Sequence, residues 1–331
     1  KSMQGAGGIL VLGSIFNATI ARTRLSHVIQ KQSPERWLKN AFIELQKVFE
    51  SFNGSMLISL VLALIDDESG VLYFINAEHP DLALLRGGQA RFLSPEQQFK
   101  KIGVVWSGFN SLQVQVFPLE NQDVVIFGSD GRDDIALGAS EDGNRLINED
   151  ETLFLRIVEK SAGNLEEILT GILKHGALTD DLSLARLEYT STTPALDRST
   201  MERIKEARAM LKKEEPARAL ELLSPLLGTD QTHPLLWKYM ADAEFRLGEY
   251  AHAAELARMY VESTPADTSF LMRASYYFSK NGDIIQAIDL AERYRMRRPD
   301  DLRILRGLAR LYRKSGNEER ASELLASMRE A

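Results

Sequence analysis

The stretch Val124-Val-Ile-Phe-Gly-Ser-Asp-Gly131 decides the fold of the first half of the chain. Its leading apolar residues predict a buried strand over 124–127, and the Asp130-Gly131 pair that follows is typical of a turn. A second acidic pair, Asp180-Asp181, precedes another apolar stretch at 182–187. If these two strands are neighbours in the central sheets, the carboxylates of Asp130 and Asp180 project from one edge.

Short strands and turns surround this stretch. Besides 124–127 and 182–187, strands are predicted at 55–65, 71–77, 82–86, 89–93 and 113–117. Helical patterns occupy 8–24, 34–50 and 151–174, and the first of these follows a glycine-rich turn at 5–8. Consecutive hairpins with helices at either end indicate an α+β fold, in which helices cover antiparallel sheets.

The chain after residue 200 repeats every 34 residues. Glycine, alanine and proline recur in phase at Gly248, Gly282 and Gly316, at Ala219, Ala253, Ala287 and Ala321, and at Pro265 and Pro299. Small residues allow helices to cross closely, glycine suits the turn between them, and proline ends the second helix. The pattern resembles the tetratricopeptide repeat. Its best unit has the expected residues Trp237, Ala241, Gly248, Tyr250, Ala253 and Pro265.

The repeat units are predicted at 200–233, 234–267, 268–301 and 302–331, and together they form an all-α superhelix. The concave face of such an array usually binds a peptide or a protein domain. A basic run comprises Arg293, Arg295, Arg297, Arg298, Arg303 and Arg306. These arginines form either a surface for an acidic partner or a solvated helix end, where basic side chains favour the helix dipole. The solvated helix end is the simpler interpretation.

Three segments upstream resemble, in order and spacing, the sporulation stage II E and sigma-regulator phosphatases. They are Val71–Arg86, which contains an Asn-Ala-Glu-His version of the family's Asn-Ala-Gly-His motif, the stretch Val124–Gly131, and Thr179–Leu184. These phosphatases belong to the metal-dependent PPM class. The resemblance covers about residues 1–188 and implies a PP2C-like fold, an antiparallel β-sandwich flanked by helices.

The resemblance implies that Asp130 and Asp180 bind metal ions. Two Mn²⁺ or Mg²⁺ ions are expected, because hard cations prefer carboxylate oxygens and can both neutralise a phosphate ester and activate water. Each aspartate also has a structural interpretation, Asp130 as part of a turn and Asp180 as a cap. Supporting roles are expected for Gly131, through close backbone approach, and for Asp181, Asp134, Gly5 and Gly7. His79 lies at a strand end and is therefore interpreted as a structural histidine and not as a catalytic one.

One part of the family's pattern is altered. The family has an aspartate three residues before a Gly-x-Gly turn, and that aspartate bridges both ions. Here Gly5 and Gly7 occupy the turn, and the aspartate position falls on Ser2, or on Lys1 if one residue is inserted. The strands that normally precede the motif are expected to be missing. The domain is therefore either a fragment or altered form of an active phosphatase, or a degenerate one that binds a partner without hydrolysis.

The composition of the chain excludes further classes of function and of binding site. The formal charge of −7 argues against nucleic-acid binding, and the absence of cysteine excludes disulfides and cysteine-based zinc sites. The longest apolar run, 56–65, is shorter than the roughly 20 residues that a membrane span needs, so no membrane span is expected. A cytoplasmic location is expected as well.

The predicted domains are 1–188 and 200–331, joined by a linker at 189–199.

Two functions follow from these observations. The first, which the resemblance implies, is a metal-dependent serine/threonine phosphatase that acts on a phosphorylated regulatory protein of the anti-sigma-factor antagonist type, with the repeats binding a protein or peptide partner. The second is a phosphatase-like scaffold whose repeats mediate protein binding.

Overall fold

The computed structural model describes residues 3–94, 99–105, 112–139, 145–191, 197–227 and 233–330. The chain divides into two compact units, of which the first comprises residues 1–107 and 117–191 and the second residues 108–116 and 192–331. The predicted domain boundaries stay a prediction. Only part of the predicted linker 189–199 lies within the described residues, where a strand runs to Tyr189 and a helix begins at Arg198.

Among its described residues the first unit contains five α-helices, a short 3-10 helix at Asp130–Arg132 and nine strands, and a tenth strand, Gln115–Pro118, crosses the boundary between the units after residue 116. The helices are α1 (Met3–Leu25), α2 (His27–Gln30), α3 (Pro34–Glu50), α4 (Leu153–Lys160) and α5 (Leu165–His175). The strands are β1 (Leu60–Asp66), β2 (Val71–Ala77), β3 (Leu82–Arg86), β4 (Gln89–Leu93), β5 (Gln115–Pro118), β6 (Asp123–Gly128), β7 (Ile135–Ala139), β8 (Arg145–Ile147), β9 (Ala177–Leu178) and β10 (Leu184–Tyr189). Three sheets have the strand orders β1-β2-β5, β10-β6-β3-β4 and β8-β7-β9.

Helix α3 covers the outer face of the first sheet. It begins where the Ser33 hydroxyl accepts a hydrogen bond from the Arg36 amide, and proline occupies its first turn. Apolar residues recur at helical spacing on one face and are buried; they include Leu38, Phe42, Leu45 and Phe49. This face packs on β1 and β2.

The sheets β1-β2-β5 and β10-β6-β3-β4 enclose one core, and helices cover the far side of the four-stranded sheet. Leu72 and Phe74 of β2 pack in one cluster with Leu84 of β3 and Val125 of β6. On the opposite face of β3 and β6, a second cluster includes Ala83, Val124, Ile126, Phe154 and Ile157. The layers are therefore helix, sheet, sheet and helix. This confirms the predicted sandwich, and it explains why β2 and β6 are apolar on both faces.

Several predicted elements differ from the observed ones. The helix predicted at 151–174 is interrupted, since Ala162 and Gly163 have positive φ and Asn164 caps a new helix. The strand predicted from Gln113 begins at Gln115. Within the second unit, the Val114 amide donates to the Met296 carbonyl at 2.8 Å and the Gln113 amide group donates to the Arg297 carbonyl at 3.0 Å.

The predicted glycine-rich turn at 5–8 is wrong. Helix α1 begins at Met3, so these glycines lie within it. A β-carbon on Gly8 would contact Met56 at 3.4 Å, which shows close packing of the helix there. Tertiary packing thus overrides the weak helix propensity of glycine.

Helix α1 bears on the expectation that no segment spans a membrane. Its segment Ala6–Leu25 has a mean hydropathy of 1.2 and is 11% buried. By length and composition it is the one helix among the described residues that could cross a membrane, a test that signal sequences and core helices also pass. The expectation stays a prediction.

The second unit is an array of helix pairs. Its helices are α6 (Arg198–Lys212), α7 (Pro216–Leu223), α8 (Pro234–Leu247), α9 (Tyr250–Ser263), α10 (Thr268–Asn281), α11 (Ile284–Arg297), α12 (Leu302–Lys314) and α13 (Glu318–Glu330). The alanines predicted at helix crossings, Ala219, Ala253, Ala287 and Ala321, are fully buried. Gly248 and Gly282 end helices with φ of 90°, as predicted for the turn. The predicted all-α repeat architecture is confirmed.

A tyrosine–aspartate pair recurs at the junctions between repeats. Asp267 caps α10 and accepts a hydrogen bond from the Tyr260 hydroxyl at 2.9 Å, and Asp301 caps α12 and accepts one from Tyr294 at 2.7 Å. Burial alone would raise the pKa of Asp267. Hydrogen bonds, chiefly from Lys238, outweigh burial and hold that pKa at about 2. Each pair ties the second helix of one repeat to the start of the next.

The arginines that end α11 are not a solvated surface. Arg295 and Arg297 are buried, Arg295 donates to Glu292 at 2.7 Å, and Arg297 donates to the Thr268 hydroxyl at 3.1 Å. The solvated-end interpretation is therefore wrong for these two residues, because Glu292 of the same helix and Thr268 of α10 supply partners for their guanidinium groups.

Removing one of these tyrosine hydroxyls tests the junction. We expect Tyr294→Phe to lower the free energy of unfolding by about 1 to 2 kcal/mol, because Asp301 loses a buried donor. Urea denaturation followed by circular dichroism measures the change. Tyr276→Phe is the matched control, since the Tyr276 hydroxyl has no hydrogen bond in the described part of the chain and the residue is 52% exposed. Equal stability of both variants would contradict the assignment.

Candidate metal centre

Two loops face each other at one edge of the sandwich. Loop 129–134 joins β6 to β7, and loop 179–183 joins β9 to β10. Antiparallel pairing holds both ends of the two loops together, since Gly128 pairs with Leu184 and Ile135 pairs with Leu178.

Hydrogen bonds fix the two loops against each other. The Ser129 amide donates to the Ser183 carbonyl at 2.9 Å, and the Ser129 hydroxyl donates to the Asp181 carbonyl at 3.0 Å. At the other end, the Thr179 amide and hydroxyl donate to the Asp134 carbonyl at 3.0 and 2.9 Å. The positions of the acidic residues are therefore set largely by backbone contacts.

Glycine is required where the two loops come closest and where the chain enters β9 beside β7. A β-carbon on Gly131 would lie 2.5 Å from the Asp181 carbonyl oxygen, and one on Gly176, just before β9, would lie 2.2 Å from the carbonyl oxygen of Ala136 in β7. Both obstacles are backbone atoms, so rotating a side chain would not relieve the overlap. The close backbone approach expected at Gly131 is thus present.

Three carboxylates converge between the loops. The ligand atoms of Asp130, Asp134 and Asp180 all lie within 4.8 Å of one another, and Asp130 and Asp180 are exposed to solvent. The pKa of Asp134 is raised. The first cause is partial burial, which penalises the charged form, and the second is the charge of the neighbouring carboxylates, led by Asp130. Like charges are held together here by the fold.

A buried arginine supports loop 129–134 from the side of the hydrophobic core. The Arg132 side chain is 2% exposed, donates to the Asp81 carbonyl at 2.7 Å and pairs with Asp133 at 3.0 Å. Its guanidinium group lies over the rings of Phe92 and Phe154, at 5.0 and 4.6 Å from their centroids. Arg132 therefore anchors the loop in the core between β4 and α4.

His79 is held near the same loop. Its Nδ1 lies 3.3 Å from the Ser59 hydroxyl, and Asn76 bonds to both its amide and its carbonyl. Burial, followed by the positive charge of Arg132, lowers the pKa of His79. The geometry agrees with the structural role expected for this histidine.

The structure brings together some of the predicted site residues and separates others. Asp130 and Asp180 meet as expected, and Asp134, expected only in the outer shell, has its carboxylate in the same cluster. Asp181 contributes its carbonyl, which accepts from Ser129. The supporting turn expected at Gly5 and Gly7 is wrong, since both lie in α1. The aspartate position, on Ser2 or Lys1, lies outside the described residues.

Sequence reasoning missed three residues that organise the loops, namely Ser129, Arg132 and Thr179. Ser129 and Thr179 each adjoin an acidic residue, but their contacts join loops 50 residues apart in the chain. Arginine is rarely buried without a partner, and its burial depends on tertiary contacts that a single sequence does not display.

Comparison with known families agrees with this geometry. Residues 1–190 match the family model described as stage II sporulation protein E (SpoIIE). The chain belongs to the SpoIIE family. This is a family of PP2C-like phosphatases, and its members typically use divalent metal ions. Two tetratricopeptide-repeat models match residues 204–268 and 279–331, which implies interaction with other proteins. The chain has no match among the curated proteins.

The chain also shows similarity to solved structures, two of which follow. One is described as MamA protein, with 14% identity over 53% of this chain and 87% of that chain, at a TM-score of 0.36. Another is a Podosopora anserina putative kinesin light chain with nearly identical TPR-like repeats. It shows 20% identity over 40% of this chain and 75% of that chain, at a TM-score of 0.35.

The donor set of this SpoIIE domain suits a hard divalent cation. Three converging carboxylates supply oxygen ligands only, which Mg²⁺ and Mn²⁺ prefer. Two of the three are exposed, and mutual repulsion contributes to the raised pKa of Asp134. A bound cation would replace that repulsion with attraction, so the residues fit the metal that the family implies.

Substituting Gly131 tests the close approach of the two loops. We expect Gly131→Ala to lower the free energy of unfolding by about 2 kcal/mol, because its β-carbon would overlap the Asp181 backbone. Urea denaturation of the first unit provides the measurement. The matched control is Gly13→Ala in helix α1, where a β-carbon meets nothing within 4 Å. The control should be neutral or stabilise by up to about 1 kcal/mol.

Substituting Asp134 tests the electrostatics of the cluster. Because the pKa of Asp134 is raised, its ionisation destabilises the metal-free fold, so Asp134→Asn should raise the Tm at pH 7 by roughly 1 to 3 °C. The difference should shrink as pH falls through that raised pKa. Differential scanning calorimetry, with and without Mn²⁺, should also show a smaller metal-induced rise for the variant.

Asp133→Asn is the matched control for this experiment. The Asp133 carboxylate is paired with Arg132 and contributes the smallest of the charge effects that raise the pKa of Asp134, so its loss should leave the metal-free Tm unchanged or lower. A metal-free Tm that falls in Asp134→Asn would contradict the proposed repulsion.

Proposed function

We propose that the protein is a metal-dependent serine/threonine phosphatase that acts on a bacterial signalling protein of the anti-sigma-factor antagonist type. The observation that carries the proposal is the convergence of Asp130, Asp134 and Asp180 from two facing loops. Membership of the SpoIIE family supports the reaction class. A cytoplasmic location belongs to the same proposal.

The three aspartates would hold Mn²⁺ or Mg²⁺, with two ions expected for the class. When bound, such ions neutralise the charge of the phosphate ester and activate water. The chain itself holds the aspartates in position, because Ser129 and Thr179 join the two loops and Arg132 fixes loop 129–134 to the core. Rigid placement matters because small displacements of reacting groups slow a reaction strongly.

Protonation of Asp134 gives the proposed reaction a pH dependence. Because the pKa of Asp134 is raised, this carboxylate becomes neutral at a higher pH than an ordinary aspartate does. A neutral carboxyl group is a poor cation ligand, so cation binding should weaken as pH falls through that pKa.

The tetratricopeptide repeats are proposed to recruit the protein partner. Helical arrays of this kind present extended surfaces to peptides and protein domains. In this chain the partner would be the phosphorylated substrate or a protein that controls the phosphatase unit.

A second candidate function is a phosphatase-like scaffold without hydrolysis. Lys1 and Ser2, which align with the family's bridging aspartate, carry no carboxylate. The helical backbone at Gly5 and Gly7 replaces the expected turn next to that position. A scaffold of this kind would bind its partner through the repeats alone.

Release of inorganic phosphate separates the two functions. With a phosphoserine-containing anti-sigma-factor antagonist as substrate, the full-length protein should release phosphate only when Mn²⁺ or Mg²⁺ is added. Asp130→Asn and Asp180→Asn should each lower kcat at least about 100-fold, since even residues that only orient metal ligands change activity by 10- to 100-fold. Asp67→Asn, on an exposed turn after β1, is the matched control.

The scaffold function predicts that no phosphate is released. No phosphate release by the full-length protein, together with retained binding of the partner and no calorimetric signal for Mn²⁺, would establish the scaffold and exclude the phosphatase.

A further inference from the structure

A stripe of arginines runs along helix α12. Arg303, Arg306, Arg310 and Arg313 follow each other at spacings of three and four residues, which places them on one side of the helix. The helix contains no acidic residue, although the whole chain has a formal charge of −7. The stripe is therefore a local positive surface on an acidic protein.

The stripe borders a groove between α12 and α13. Arg306, Arg310 and Arg313 line this groove, which has a volume of about 450 Å³. Three apolar residues, Ala309, Leu325 and Met328, line it as well. The groove thus combines exposed guanidinium groups with an apolar lining.

The arginines of the stripe differ in their pairing. Arg303 donates to both carboxylate oxygens of Asp301, at 3.0 and 2.7 Å, and Arg313 lies 3.4 Å from Glu318. Arg306 and Arg310 are exposed and make no hydrogen bond or ion pair within the described residues. They are one helical turn apart, where like charges destabilise a helix by a few tenths of a kcal/mol.

We propose that this groove is a docking site for an acidic amphipathic peptide segment of a partner protein. Carboxylates one helical turn apart on the peptide match the spacing of Arg306 and Arg310, and guanidinium groups bind carboxylates through two parallel hydrogen bonds. Apolar side chains between these carboxylates would cover Leu325 and Met328, which are only partly buried, whereas Ala309 is already buried. The apolar lining favours a peptide, because a nucleic-acid backbone would leave that surface uncovered.

A pair of synthetic peptides tests the proposal. The probe is a fluorescein-labelled helical peptide with glutamates four residues apart and leucines between them, and its twin has glutamine at each glutamate. Fluorescence anisotropy should show that the full-length protein binds the glutamate peptide at least about tenfold more tightly than the twin. The glutamate peptide can form two charge-assisted contacts that the glutamine twin cannot form. The preference should weaken as salt is added.

Variants of the stripe locate the site. Arg306→Glu combined with Arg310→Glu should lower the affinity for the glutamate peptide by at least about tenfold, and the milder Arg306→Gln with Arg310→Gln should lower it in the same direction. Arg303→Gln is the matched control and should change the affinity by less than about twofold, because Asp301 already occupies that guanidinium. Circular dichroism verifies that each variant remains folded.

Three outcomes would overturn the proposal. They are equal affinity for the two peptides, an unchanged affinity in both double variants, and tighter binding of a labelled oligothymidylate than of the glutamate peptide. The last outcome would assign the stripe to nucleic acid. None of these results depends on phosphatase activity, so they are independent of the proposed function.

Discussion

The candidate metal centre depends on one constraint: a single stretch of chain pairs with two different strands. Strand β9 pairs with β7, and strand β10 pairs with β6, so the loop between them is fixed at both ends against loop 129–134. Each backbone hydrogen bond contributes only about 1 kcal/mol, but the bonds of the two ladders act together. The carboxylates meet because this pairing places the three aspartates on facing loops.

This constraint gives the metal-free site an unfavourable charge distribution. Asp130, Asp134 and Asp180 repel one another, and the nearest buried cation, Arg132, is engaged with Asp81 and Asp133 on the core side of the loop. The packing of the sandwich holds these charges in place. Functional sites commonly keep such locally unfavourable arrangements, which the rest of the fold compensates.

The repeat unit is organised differently, because its contacts are local and recur with the sequence period. Small residues at helix crossings depend mainly on the nearest repeat, so the sequence predicts them well. The aspartate caps Asp267 and Asp301 are equally local, although the sequence analysis did not identify them. The arginines are the exception. Arg297 is buried and Arg306 is exposed, although both were placed in the same basic run. The packing of neighbouring helices, which composition does not reveal, decides between the two.

By itself the sequence determined the hairpins β1 to β4, helix α3 and the repeat period, although β1 begins at Leu60 and not at residue 55 as predicted. These depend on short-range patterns of apolar and glycine residues. The choice of Asp130 and Asp180 as candidate ligands came from the resemblance to the phosphatase family. Tertiary structure alone decided the helical state of Gly5 and Gly7, the short strands β7 and β9, and the place of Asp134 in the cluster. A two-residue strand such as β9 is too short to show a periodicity, and its hydrogen bonds come from a partner strand 41 to 43 residues away in the chain.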